Sequence, residues 1–210
     1  MASADVNRLI DNARIKLPGA LDNVMKLEFF AVMNDFFQQT SCWTEGITFI
    51  ANPVSTSPIT NPDDFSYDLT PDSGSIVRLM YVINSQGAAQ AATMDTPGTV
   101  KLRYSPNVTD TYTANVAKTV TDPVTREGYP EFPAWVLNKY GNEILDGLLG
   151  RMMGQIAKPY SSPQMALYHT KSFRAGVQRA YVETLHGNVY RGQSWTFPQT
   201  FARRRRYNGF

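Results

Sequence analysis

The side chains able to perform chemistry are few in this chain. Among 210 residues there are one cysteine, Cys42, and two histidines, His169 and His186. A serine or cysteine nucleophile needs a positioned base, and both histidines fall on one predicted helix. At about 100° per residue they point to different sides of it, so a shared site is not expected. We predict satisfied or surface histidines, because no neighbouring acid in the sequence is placed to orient them.

The remaining candidates for chemistry have structural interpretations. Cys42 follows a predicted helix rather than opening one, which indicates a structural cysteine rather than a stabilised thiolate. Asp63 and Asp64 are typical of a solvated turn, and with Asp68 and Asp72 they lack the glycine and closing glutamate of a calcium loop. No phosphate-binding glycine motif is present in the sequence. The sequence therefore predicts no enzyme, no cofactor and no metal site; a small hydrolase with an unrecognised site among the strands is an alternative.

The charges of the chain are unevenly distributed. The formal net charge is +2, but residues 1–150 carry 10 Lys/Arg against 17 Asp/Glu, a net charge of −7. Residues 151–210 carry 10 Lys/Arg and one acid, Glu183, a net charge of +9. Such asymmetry favours a basic tail that meets an acidic surface or nucleic acid. No apolar run approaches the ~20 residues of a membrane span, and the first residues do not have the pattern of a signal peptide, so we expect a cytoplasmic protein without a membrane partner.

Periodic apolar positions predict two helices near the start of the chain. The first covers 4–17, with Ser3 as N-cap and a Pro-Gly stop after it. The second runs from about Leu21 to Gln39 and is apolar around most of its circumference, which predicts burial in a bundle or in a subunit contact. The aromatic candidates for that subunit contact are Phe29, Phe30, Phe36 and Phe37.

Two further helices are predicted after Pro133. The third has a broad apolar stripe that extends to Ile156 and ends at Lys158-Pro159. The fourth opens with Ser162 as N-cap and Pro163 at its first position, and it runs to about His186. Small residues on one face of the fourth helix, such as Gly176 and Ala180, are expected to let another helix approach closely.

Between residues 42 and 120 the apolar period falls to two, which is typical of strands. Alternating segments surround Tyr67, Val82, Val100 and Ala114, and turn signals such as 84–87 and 96–98 separate them. The sequence predicts an α+β fold: a four-helix bundle formed by 1–41 and 130–187, an inserted antiparallel β domain at 42–129, and an extended C-terminal arm at 188–210.

The predicted arm combines large apolar side chains with consecutive arginines. A free tail would leave the aromatic groups in water, each giving up roughly 1.5–3 kcal/mol of burial. Aromatic residues and arginine are also enriched at interface hot spots, so a docking arm is predicted, with docking on the chain's own domain or a solvated terminus as alternatives. The docking candidates are Tyr190, Trp195, Phe197, Pro198, Phe201, Arg203, Arg204, Arg205 and Arg206.

Three stretches of the C-terminal region carry a resemblance. Residues 151–161 (RMMGQIAKPYS), 171–174 (KSFR) and 186–205 (HGNVYRGQSWTFPQTFARRR) resemble the C-terminal half of head-to-tail connector (adaptor) proteins of tailed bacteriophages, the tail tubular protein A group. Residues 17–21 (LPGAL) before the aromatic-rich helix, and the strands around 67–69 and 76–79, are similar too.

This resemblance implies a structural virion protein. It implies a dodecameric, homo-oligomeric ring at the portal vertex, which joins the portal protein to the tail nozzle or tail-tube protein, after synthesis in the host cytoplasm. Genomic DNA would pass through the ring without sequence recognition. The arm would dock on the portal, with Trp195, Phe197 and Phe201 as anchors and arginines 203–206 paired with acidic groups. The alternative from composition is a nucleic-acid-binding protein whose basic C-terminal tail contacts phosphates.

Overall fold

The computed structural model describes residues 2–53, 66–104, 106–121 and 131–187. Within them, helices flank a run of antiparallel strands, so the α+β class is confirmed. The elements in chain order are α1 (Ala2–Lys16), α2 (Asp22–Thr40), β1 (Thr44–Ala51), β2 (Ser66–Asp68), β3 (Ser75–Ile83), β4 (Ala89–Gln90), β5 (Ala92–Thr96), β6 (Thr99–Leu102), β7 (Asp110–Thr119), α3 (Trp135–Met153) and α4 (Pro163–Leu185).

The predicted helices are confirmed, with corrections at their ends. The prediction of Ser3 as N-cap is wrong, because α1 already begins at Ala2. Helix α3 ends at Met153, so Ile156 lies beyond it and is 89% exposed rather than part of an apolar stripe. Ser162 does precede Pro163 at the start of α4 in an extended conformation, but its side chain makes no capping hydrogen bond.

Close packing of α3 against α4 depends on glycine. An added Cβ on Gly147 would lie 2.7 Å from Val32 Cγ1 and 2.8 Å from Phe173 Cδ2, and one on Gly150 would lie 2.8 Å from Thr170 Oγ1. An added Cβ on Gly176 of α4 would meet the Glu143 side chain of α3. The expectation that small residues let a helix approach α4 is therefore confirmed, and the partner is α3, which also packs on α1 and α2.

Within the described residues, the strands form two antiparallel sheets with orders β1-β7-β3-β4 and β2-β6-β5. Strand β3 lies between β7 and β4. The predicted strands are found as β2, β3, β6 and β7, whereas β1, β4 and β5 were not predicted. Both sheets contribute to one core, which is separate from the helical core. Its buried residues are Ala51, Leu69, Ile76, Val82, Val100, Leu102, Tyr112, Ala114 and Val116.

Trp43 joins the strands to the helices. It directly precedes β1, is buried, and belongs to the helical core, where its ring centroid lies 5.3 Å from that of Phe37. On the strand side, the Lys118 ammonium lies 4.5 Å from the Trp43 ring centroid, a cation–π distance. The Lys118 backbone N–H also donates to the Trp43 carbonyl at 2.8 Å. The residue before β1 and the last residues of β7 are therefore held against each other.

Lys118 is buried and needs a counter-charge, which Glu45 supplies. The two side chains form an ion pair with Nζ and Oε2 2.5 Å apart. Burial alone would raise the pKa of Glu45, but hydrogen bonds from Lys118 and from the Asp72 backbone N–H outweigh it and hold that pKa below its usual value. Glu45 is therefore ionised at neutral pH, as a buried ammonium requires.

The strand region leaves and rejoins the helices at neighbouring positions. β1 follows α2 and pairs along its whole length with β7, from Thr44 opposite Ala117 to Ala51 opposite Asp110. Thr119, the last residue of β7, donates its hydroxyl to Asn34 Oδ1 of α2 at 2.7 Å. The two ends of the strand region consequently lie side by side against α2.

We expect Gly147→Ala to lower the free energy of unfolding by about 1–3 kcal/mol, because the added methyl group overpacks the contact among α2, α3 and α4. Gly141→Ala, on the same helix with nothing within 4 Å of the added Cβ, is the matched control. It should be neutral or stabilising by up to about 1 kcal/mol through helix propensity. Urea unfolding of both variants checks this, and equal effects would contradict close packing of α2 and α4 on Gly147.

Gly74→Ala should be more destabilising than Gly87→Ala. Both glycines have positive φ, 74° and 79°, so both alanines pay about 1–2 kcal/mol of backbone strain. Only at Gly74 would the new Cβ also meet the Thr119 carbonyl at 2.6 Å and the Trp43 ring at 2.8 Å. Thermal unfolding should show a clearly lower Tm for the first variant, with altered tryptophan fluorescence. Identical Tm values would mean that Trp43 is not held against Gly74.

Candidate functional site

The nine predicted docking residues, from Tyr190 to Arg206, lie outside the described residues, so their role stays a prediction. The structure does describe the point from which they extend, the C-terminal end of α4 up to Gly187. We call the group of side chains that fixes this end the arm base. It consists of Lys139, Tyr140, Glu143, Arg179 and Glu183.

The arm base ties the last turns of α4 to the first turns of α3. Glu183 Oε2 accepts hydrogen bonds from Tyr140 OH at 2.6 Å and from Lys139 Nζ at 2.8 Å. One turn earlier on α4, Arg179 donates to Glu143 Oε1 at 2.5 Å. Tyr140 itself is almost completely buried, and its non-helical φ of −122° marks a kink in α3. The last two turns of α4 are therefore held against α3.

The electrostatics of the arm base favour its charged form. Hydrogen bonds from Lys139 and then Tyr140 hold the pKa of Glu183 below its usual value. The same contact with Glu183, with a contribution from Tyr140, raises the pKa of Lys139. Burial, reinforced by the Glu183 hydrogen bond, raises the pKa of Tyr140. At neutral pH the site therefore contains a carboxylate, an ammonium and a neutral phenol, which is an arrangement suited to positioning α4.

The predicted subunit-contact residues occupy different surroundings. Phe29, Phe36 and Phe37 are fully buried within the chain, where Phe36 contacts Tyr140 with ring centroids 5.3 Å apart. The apolar circumference of α2 is thus explained by the chain's own core, and these three side chains have no surface left for a neighbour. Phe30 is half-buried and packs at the edge of that core, so a subunit contact at Phe30 stays a prediction.

His169 has a partner that was not predicted. Its Nδ1 lies 2.8 Å from Asp146 Oδ1, so the expectation that no acid orients it is wrong. Asp146 lies on α3, and only the packing of α3 on α4 brings the two together. Ser172 donates to the other oxygen of Asp146 rather than to the imidazole, so these three residues do not form a nucleophile–base pair. His186 is exposed at the end of α4, away from this group.

The other candidates from the sequence are structural where they are described. Cys42 is buried, and burial raises the pKa of its thiol, as expected for a structural cysteine. Residues 84–88 form a turn in which Asn84 Oδ1 accepts the backbone N–H groups of Gln86 and Ala88. Asp63 and Asp64 lie outside the described residues. Among the residues that are described, no group of three or more His, Cys, Asp or Glu is placed to hold a metal ion.

Comparison with known proteins adds no assignment. Neither a scan against protein-family models nor a search of curated proteins finds a match to this chain. In the part of the chain that the structure describes, no helix has the length and apolar character needed to cross a membrane.

Glu183→Gln tests the arm base. Because the folded-state pKa of Glu183 is lowered, its stabilisation is present above the unfolded value, about 4.3, and is lost as the pH falls through the folded value. The variant should therefore have a lower Tm than the wild type at pH 7, and the difference should shrink as the pH falls into the acidic range. A difference that is the same at every pH would show that the ionised carboxylate contributes nothing.

Proposed function

We propose that this chain is a structural virion protein, a connector whose ring joins the portal of a phage capsid to the tail and continues the DNA channel. The observation that carries the proposal is the composition of residues 186–205, where Trp195, Phe197 and Phe201 precede arginines 203–206 in a stretch that resembles the adaptor family. The arm base supports it, because a docking arm needs a defined starting point.

The finer architecture in this proposal is a four-helix bundle with an inserted β domain. Two features support it: the helices and the strands have separate cores, and β1 and β7 leave and rejoin the helices side by side. The proposed division is a bundle of 1–41 and 130–187, a β domain of 42–129 and an arm of 188–210.

The proposed docking reaction is a protein–protein contact. Aromatic anchors that enter pockets on the portal would remove apolar surface from water, which is the main source of affinity at such sites. Arginines 203–206 would form bidentate pairs with portal carboxylates, which fixes the direction of the arm. The other partners in this proposal are the tail nozzle or tail-tube protein, further copies of the chain in a dodecamer, and genomic DNA that passes through without being read. The proposed role in the virion is not enzymatic and uses no cofactor.

Lateral contacts within the ring are proposed for the outer face of α2. Phe30 keeps part of its surface, and Leu27, one helical turn before it, is 57% exposed. Residues three apart on a helix are neighbours, so the two form a small apolar patch. A patch of this kind suits one contact in a larger assembly.

A nucleic-acid-binding protein is the second candidate. The outer face of α4 favours it, because Lys171 and Arg174 are exposed there in addition to the arginines of the C-terminal segment. Binding of this kind depends on counterion release and weakens steeply with salt.

Light scattering and negative-stain imaging with the portal protein should show rings. A strict monomer that binds DNA with a steep salt dependence and ignores the portal would favour this second function.

We expect deletion of residues 195–210 to leave a folded protein that is no longer captured by its portal in a pull-down. Trp195→Ala in the full chain should weaken docking by more than about 2 kcal/mol if this side chain is an anchor. Tyr104→Ala, which changes an exposed aromatic residue two positions after β6, is the control and should leave capture unchanged. Undiminished capture of the truncated protein would refute the docking role.

A further inference from the structure

A groove of about 620 Å³ lies between α2, α3 and α4, and each of the three helices contributes side chains to its lining. This volume is within the range of roughly 300–1,000 Å³ that is usual for ligand sites. Three of the lining residues, Arg151, Phe173 and Arg174, belong to the stretches 151–161 and 171–174. The proposed function assigns no role to these stretches, so the groove needs an explanation of its own.

The floor of the groove is the backbone of α3. Gly147 lies there without a side chain, and an added Cβ would be 2.8 Å from Phe173 Cδ2, so the ring packs directly on that backbone. Phe173 is only half-buried and lines the groove. The floor and the α4 side therefore offer apolar surface to a ligand.

The charges that line the groove are unequally paired. Arg151 forms ion pairs with Asp35 and, at 3.5 Å, with Glu28. Arg174 is exposed, and in the described part of the chain it has neither an ion pair nor a hydrogen bond. The lining thus contains one guanidinium, with five N–H donors, that has no counter-ion. It can receive one anionic group.

Three uncharged polar side chains complete the groove. Gln39 and Gln178 carry exposed carboxamides, and Thr170 carries a hydroxyl. Within the described residues, none of these three side chains makes a hydrogen bond. A carboxamide has both donors and an acceptor, as a peptide group has, so it can pair with the N–H and C=O groups of an extended peptide.

The anion that fits the groove carries a single charge. Arg151 and Arg174 against Asp35 give the lining a net charge of +1, and Glu28 already shares Arg151. A nucleic-acid strand needs a cation for each neutralised phosphate, and it would bring several phosphates close to these carboxylates. One carboxylate can instead pair bidentately with a single guanidinium. The apolar surface of Phe173 also suits a peptide better than a phosphate backbone.

We propose that this groove binds an acidic peptide segment of a partner protein. A glutamate or aspartate side chain of the segment pairs with Arg174, the peptide backbone bonds to the Gln39 and Gln178 carboxamides, and an adjacent apolar side chain packs on Phe173. The inference goes beyond the connector role and does not depend on it, because the groove is formed by the helices alone.

Ligand-observed NMR with the full chain tests the proposal. The probes are two acetylated and amidated tripeptides, Leu-Glu-Leu and Leu-Gln-Leu, which differ only in the carboxylate. We expect the wild type to bind the first at least about tenfold more tightly, because a hydrogen bond to a charged group contributes more than a neutral one. Equal affinity for the two peptides, or binding of neither, would overturn the proposal.

Substitutions on α4 locate the binding. Arg174→Gln should lower the affinity for Leu-Glu-Leu about tenfold and remove the difference between the two peptides. Arg174→Lys, which keeps the charge but loses the planar fork, should bind with intermediate affinity. The matched control is Lys171→Gln, which removes an exposed cation that does not line the groove and should leave both affinities unchanged. Equal losses in Arg174→Gln and Lys171→Gln would assign the binding to the general charge of α4 and contradict the proposal.

Competition identifies the class of ligand. Neither single-stranded oligothymidylate nor sodium acetate should displace Leu-Glu-Leu at the same concentration and ionic strength. Displacement by the oligonucleotide would make the groove a phosphate site, and displacement by acetate would show that the peptide contributes nothing; either result overturns the proposal. The portal pull-down with the chain lacking residues 195–210 reports on the C-terminal segment alone, so the two proposals fail independently.

Discussion

The packing of one indole ring holds the strand region to the helices. Trp43 lies between Phe37 of the helical core, the Lys118 ammonium and the backbone at Gly74, and each neighbour belongs to a different part of the chain. A cation over an indole face is more favourable when both are removed from water, as they are here. Glu45 then neutralises the cation, so the ring, the ammonium and the carboxylate form a single unit.

A second group of hydrogen-bonded polar side chains lies at the other end of the helical core. There Glu183 accepts from Tyr140 and Lys139, and Tyr140 contacts Phe36, which leads back to Trp43 through Phe37. The Glu45–Lys118 pair and the Glu183–Lys139 pair thus lie at opposite ends of one line of aromatic rings.

Much of the helical arrangement is predictable from the sequence, because an apolar period near 3.6 persists through α1 and α4 and because α2 is a long apolar segment. The end of α3 is harder to predict. Ile156 continues the apolar pattern of the helix in the sequence, but the helix stops at Met153 and the Ile156 side chain is exposed. The missed strand β1 has the alternating exposure of a strand, and its place in the sheet is set by pairing with β7 residues 59 to 73 positions later in the chain.

Side-chain partnerships were the least predictable feature. His169 and Asp146 lie on separate helices, and their contact depends on glycines that let α3 approach α4. The burial of Phe29, Phe36 and Phe37 in the chain's own core likewise follows from how the helices pack, whereas periodicity alone leaves a neighbouring subunit as an equal possibility. The arm base could not be predicted either, since its side chains come from two helices that are far apart in the sequence.

The adjacency of β1 and β7 has a consequence for how the chain folds. About 95 residues separate the end of α2 from the start of α3, so these helices meet only after a large loop has been closed. Antiparallel pairing of β1 with β7 closes that loop. The conformational entropy lost on loop closure is therefore not lost a second time when the helices dock. Pairings so distant in sequence raise the contact order and slow folding. The pairing of β1 with β7 should therefore limit the rate at which the helical core forms.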